Sequence, residues 1–193
     1  MNKCRVFLYS ILVLCMLDPC LSSMAGTQSA PAADIFQRYE AAFNRHDTDA
    51  VASFWVLDPD TAEKTLARWR GEREFEAATH AVFRISAKPL GDDVFEVTQR
   101  EDCDYYRELG TGTKTSTFVV HVRDGKFQDV QRGTSTDEHG NYDQITARFT
   151  AWILQNRPDR AATVLQDGDL VYNGRTAGAI MDLLREWRTE HPR

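Results

Sequence analysis

The sequence predicts an α+β domain in which N-terminal helices pack on an antiparallel sheet and further helices follow. Three observations carry this: apolar residues recur at helical spacing over 33–78, alternate at period two over 82–132, and return to helical spacing after 142. No internal repeat or low-complexity stretch interrupts the pattern.

Ahead of the first element, Lys3 and Arg5 precede an apolar run over 6–17, and Ser23-Met24-Ala25 offers small residues where a signal peptidase reads. The run is about a dozen residues, short of the roughly 20 that a membrane-spanning helix needs. Residues 1–25 are therefore expected to be a cleaved export signal, which makes the mature chain secreted or periplasmic and leaves it off the membrane. Cys20 admits a lipoprotein signal as the other reading, although Leu17-Asp18-Pro19 puts an acid and a proline where such signals carry small residues. Cleavage removes Cys4, Cys15 and Cys20 and leaves Cys103 alone, so no internal disulfide is expected and stability must come from a core. The remaining length, roughly 168 residues, is enough for one.

Small polar residues over 26–32 read as a flexible leader. Helix one is expected over 33–45, with Ile35, Phe36, Tyr39, Ala42 and Phe43 on one face. Asn44-Arg45-His46-Asp47 breaks it, and Asp47 or Thr48 can cap a second helix carrying Val51, Phe54 and Trp55. Asp60-Thr61-Ala62-Glu63 has the form of a capping box opening a third helix with Leu66, Trp69 and Phe75, in which Gly71 is a weak point. Phe83, Ile85 and Ala87 alternate with polar residues as strand one, Gly91-Asp92-Asp93 makes the turn, and strand two begins at Val94. A turn or single helical turn is expected over 104–112. Strands then run over 115–123 and 126–132, joined by the two-residue hairpin signal Asp124-Gly125. Helices are expected over 142–156, from Pro158 to about 165, and from a Thr176 cap through Trp187, with a turn-bounded segment Leu170-Val171-Tyr172 between the last two. These elements divide as an α+β unit over 33–136 and a helical extension over 137–193.

Charge excludes some functions. The formal net charge of −6 becomes one unit more negative once Lys3, Arg5 and Asp18 leave, and no Lys/Arg run exists to follow a phosphate backbone, so nucleic acid is not an expected partner. The five histidines show no paired ligand spacing, and one mature cysteine cannot build a zinc cluster; no metal and no cofactor is expected.

The segment FQRYEAAFNRHDTDAVASFW resembles the first helices of the nuclear-transport-factor-2-like superfamily, including its SnoaL-like members, and the hairpin TFVVHVRDGKFQDVQ resembles the paired long strands of that fold. The resemblance covers roughly 33–135. It implies a cone-like, curved sheet wrapped on the helices with a cavity between them. Members range from isomerases, dehydratases and hydrolases to binding modules without chemistry, so fold does not fix function.

Within such a cavity, Arg100 and Asp102 share one face of strand two, while Glu101 points the other way. With Asp102 as base, Arg100 orienting it and Tyr105 donating to an oxyanion, they form the candidate catalytic set of a small cofactor-independent enzyme; a solvated outer sheet face is the plainer reading. Tyr39, Trp55, Tyr106 and His121 are candidate ligand contacts, with a core role for Tyr39 and Trp55 and a surface role for His121 as alternatives. Trp69 is weighed in the same way. His46 beside Asp47 reads as turn surface, and Cys103, flanked by acids, as an inert buried thiol. The favoured function is an exported domain that binds a small apolar or carboxylated ligand, or a protein, without chemistry. A homodimer through the convex sheet face is the remaining partner to test.

Overall fold

The computed structural model of the chain describes residues 30–192; the expected export signal and most of the leader lie outside them. The elements are α1 (Ala30–Asn44), α2 (Thr48–Ser53), α3 (Ala62–Ala78), β1 (Val82–Gly91), β2 (Val94–Asp102), α4 (Asp104–Leu109), β3 (Lys114–Arg123), β4 (Lys126–Asp137), α5 (Tyr142–Asn156), α6 (Pro158–Val164), β5 (Leu165–Gln166), β6 (Asp169–Leu170) and α7 (Gly174–Glu190). The fold is α+β, with an antiparallel four-stranded meander in the order β1-β2-β3-β4 and a small β5-β6 hairpin.

Local chemistry sets the boundaries. Asp47 caps α2 by accepting from the Ala50 amide at 2.9 Å. The Asp60–Glu63 box does not form: Thr61 is the N-cap of α3 and its side chain caps no helix amide, its hydroxyl instead donating to the Asp58 carbonyl at 3.5 Å in a turn where the Asp58 carboxylate accepts from the Asp60 amide at 2.9 Å. The cap of α7 is Asn173, three residues before the expected Thr176. Its side chain accepts from the amides of Arg175 and Thr176, while the Thr176 hydroxyl accepts from the Asn173 amide, so Thr176 is the far partner of a capping box. Asp124 and Gly125 both have positive φ, at 51° and 69°, the geometry a two-residue hairpin needs to match strand twist.

Alternation then decides which side chains face inward. Phe83 on β1, Val97 on β2, Val120 on β3 and Phe127 on β4 are fully buried beneath Phe36, Tyr39 and Phe43 of α1. Phe36 stacks on Phe127 with ring centroids 5.4 Å apart, and Tyr39 meets the same ring edge-on at 4.9 Å. α1 also covers the free edge of the sheet. The Asn44 side-chain amide accepts from the Phe83 amide at 2.8 Å and donates to its carbonyl at 3.1 Å, and Glu40 accepts from the Ile85 amide at 2.6 Å. An edge strand that would otherwise present unpaired backbone is thereby closed.

The C-terminal helices share this core. α7 packs against α3 and α4, burying Ile180, Leu183, Leu184 and Trp187 beside Leu109. Arg188 donates from Nε to the Glu108 carbonyl at 2.7 Å and from Nη2 to the Leu109 carbonyl, satisfying the end of α4. Gly71 does not break α3; a Cβ there would lie 3.2 Å from Asn173 Cβ and 3.4 Å from the Tyr172 carbonyl oxygen, so its smallness lets the 172–173 segment lie against the helix. No helix of the described residues is long and apolar enough to cross a membrane.

Candidate functional site

Between α3, the inner face of β2 and β3, and the segments around α4, α5 and Tyr172 lies a cavity of about 410 Å³, within the range of small-molecule sites. Its walls are aromatic and its polar groups come from three directions.

The first wall is one face of α3. Trp69, Glu72, Arg73 and Glu76 follow helical spacing and all line the cavity. Arg73 and Glu76 are buried and form an ion pair through Nη2 and Oε1. The guanidinium also lies over the Phe43 ring, 4.1 Å from its centroid. Glu76 Oε2 has His46 Nδ1 at 3.9 Å, beyond hydrogen-bond reach. Burial pushes the Glu76 carboxyl up to about 8, against the pull of Arg73 and with help from the negative charges of Glu101 and Glu72. Burial, then Arg73, lowers the His46 imidazole.

The second wall is the sheet. Gln99 and Glu101 on β2 share the parity of the buried Val97 and so face inward, as do Lys114 and Ser116 on β3. Glu101 and Lys114 stand opposite each other in register. Burial raises the Glu101 carboxyl, opposed by Lys114, Arg73 and the 3.2 Å hydrogen bond that Tyr106 donates. The Lys114 ammonium rests over two rings, 5.2 Å from the Tyr142 centroid and 5.8 Å from that of Tyr106.

The third wall is a chain of phenols. The Tyr172 hydroxyl lies 3.1 Å from that of Tyr105 and 3.1 Å from that of Tyr142. Burial raises Tyr105, Tyr106 and Tyr172 above the ordinary phenol range, so they keep their protons at neutral pH.

The expected site residues divide. Tyr39, Trp55, Tyr105 and Tyr106 line the cavity, and so does Trp69. Arg100 and Asp102 do not: both are exposed on the outer face, and Asp102 accepts from Arg107 Nη1 at 2.7 Å in a surface cluster with Asp104. The set Arg100, Asp102 and Tyr105 is therefore not brought together, because Phe95 and Val97 fix the pleat and send even-numbered residues outward. His121 sits on the outward parity of β3, between Val94 and Gln128 of the neighbouring strands and away from the cavity. Cys103 is buried and its thiol is pushed up to about 12 by burial and by Glu101. Arg73, Glu76, Glu101, Lys114, Tyr142 and Tyr172 were not singled out by sequence. For Glu101 the signal was present, since the Phe95, Val97 alternation continued by four residues lands on it. Among the described residues no group of three His, Cys, Asp or Glu side chains is placed to hold a metal ion.

Compared with known proteins, the chain matches no family profile, no curated protein and no solved structure.

Proposed function

We propose that the chain is an exported ligand-binding domain of the nuclear-transport-factor-2-like kind, whose cavity takes a small apolar or carboxylated molecule. One observation carries this reading: a cavity of about 410 Å³ walled by Tyr39, Trp55, Trp69 and a tyrosine cluster, with a few ionisable groups converging on it. Export rests on the residues of the first 25 positions, and the family on the opening helices and the long hairpin. Native mass spectrometry of the protein recovered gently from its host tests it. A co-purifying small molecule, released on unfolding and lost when Ser116→Trp fills the cavity, is the expected result; a bare mass under all gentle conditions, with no small ligand found in a library screen, overturns it. The same spectra count subunits and so test the homodimer.

A second reading is favoured by one further observation. Glu76 and Glu101 are cavity carboxyls that burial raises above the ordinary carboxylate range, Glu76 to about 8, the direction a general acid or base needs. An isomerase, dehydratase or hydrolase without cofactor would then use these two, in place of the outward Asp102. Turnover of the co-purifying molecule by wild type but not by Glu76→Gln or Glu101→Gln is the result that would select it.

A further inference from the structure

Several hydrogen-bond donors of the cavity lack an acceptor, beside one buried acceptor, Glu76 Oε2, that lacks a donor. Tyr105, Tyr142 and Tyr172 contribute three O–H groups to a chain of two hydrogen bonds, so one O–H remains to donate elsewhere. Arg73, whose side chain is 9% exposed, gives Nη2 to Glu76, while its buried Nε has no acceptor among the described residues. Lys114 brings three more N–H donors. It rests on the Tyr106 and Tyr142 rings, beside the phenol chain, and no carboxylate of the described residues lies within ion-pair distance of it.

Charge favours one kind of occupant. With Glu72, Glu76 and Glu101 all ionised against Arg73 and Lys114, the walls carry one net negative charge; with Glu76 and Glu101 in the acid form they carry one net positive charge. Burial drives both of these carboxyls toward the acid form, in which each adds an O–H donor. Glu76 faces Arg73 and Glu72 on its own helix, His46 and Tyr39 from α1 and its turn, and Glu101 from the sheet. Glu101 faces Lys114, Arg73, Glu72, Glu76, Tyr106 and Cys103. An anion entering this set makes a further negative charge on either glutamate less favourable.

We infer that the cavity takes a planar organic acid, with its carboxylate on Lys114 and the free phenolic O–H and its ring against Trp55 and Trp69, and that it binds together with a proton held by Glu76 or Glu101. The inference rests on the cavity being the ligand site. The partly buried indoles of Trp55 and Trp69, 5.8 Å apart between centroids and inclined at 63°, supply an apolar corner in which a flat ring can lie against one indole face with its edge toward the other.

Titration calorimetry with 2-naphthoate, the neutral 2-naphthamide and the cationic 2-naphthylmethylamine tests it on the whole protein. Near pH 6 the acid is expected to bind about tenfold tighter than the amide, the worth of one charge-assisted hydrogen bond, and near pH 8, where Glu76 is partly ionised in the free protein, to take up a proton when buffers of different ionisation heat are compared. The preference should shrink toward pH 9. Lys114→Gln should bring the acid down to the amide, and Glu101→Gln should weaken the pH dependence while keeping the preference. Equal binding of all three probes, tighter binding of the amine, or binding of the acid that does not vary with pH overturns the inference while leaving a ligand cavity in place. Failure of every probe to bind at millimolar concentration overturns both.

Discussion

Glu76→Gln separates two states of the buried pair by the sign of its effect. In the folded chain the Glu76 carboxyl titrates at about 8 against an ordinary value of 4.5. A raised folded value means that the proton is held more tightly by the folded than by the unfolded chain. Stability from this group is then complete below the ordinary value and is lost progressively as pH rises toward 8. The gap is about 3.5 units at about 1.4 kcal/mol each, a ceiling of about 5 kcal/mol; water reaching the carboxyl through the cavity brings the expected loss to roughly 2–3 kcal/mol. Glutamine copies the acid form and cannot ionise. Urea unfolding of the variant near pH 5 should therefore match wild type within about 1 kcal/mol, and near pH 9 the variant should be the more stable by roughly 2–3 kcal/mol, or several degrees in Tm. If instead Arg73 held Glu76 ionised throughout, glutamine would break a buried ion pair and destabilise by about 3–5 kcal/mol at both pH values. A loss of that size near pH 5 would refute the assignment.

Asn44→Ala removes both bonds to the Phe83 backbone, a residue with no exposure, and should cost roughly 2–3 kcal/mol in urea unfolding; a cost below about 0.5 kcal/mol would show that α1 does not hold the sheet edge through this side chain. Asp102→Asn touches only an exposed pair with Arg107 and should change stability by less than about 1 kcal/mol and probe binding not at all, whereas Glu101→Gln, one residue away, should alter binding and its pH dependence. Equal effects in calorimetry would mean that the pleat of β2 is misassigned. Cys103 should resist a thiol reagent in the folded protein up to about pH 9 and react at once in denaturant, given its burial and its thiol pushed up to about 12; rapid labelling of folded protein would contradict both.

The elements were legible because period and punctuation agreed. Asp124-Gly125, the Asp47 cap and the shift from helical to alternating spacing at Val82 each reflect local backbone chemistry, which the sequence carries directly. Much of the site was not. Arg73 and Glu76 are charged residues in a helix whose apolar stripe is weak, and charge alone reads as solvent exposure until α7 and the 172–173 segment cover that helix. Tyr142 and Tyr172 are thirty residues apart, and nothing local brings their hydroxyls to Tyr105. Asp102 was misplaced for a different reason: its pairing with Arg100 across one strand face was correct, but the apolar residues beside them, which decide the inward face, have the opposite parity.

The tyrosine chain has a consequence for how the molecule can vary. Its members come from three stretches far apart along the polypeptide, whereas the glutamates, Arg73 and Lys114 belong to α3 and the adjoining strands. Shape at one end of the cavity is thus written in the last third of the chain and charge in the middle. A lineage could exchange Tyr172 for a smaller side chain and admit bulkier occupants while the ionisable groups of α3, β2 and β3 stay in place, whereas a change at Tyr142 would also take away a ring on which the Lys114 ammonium rests.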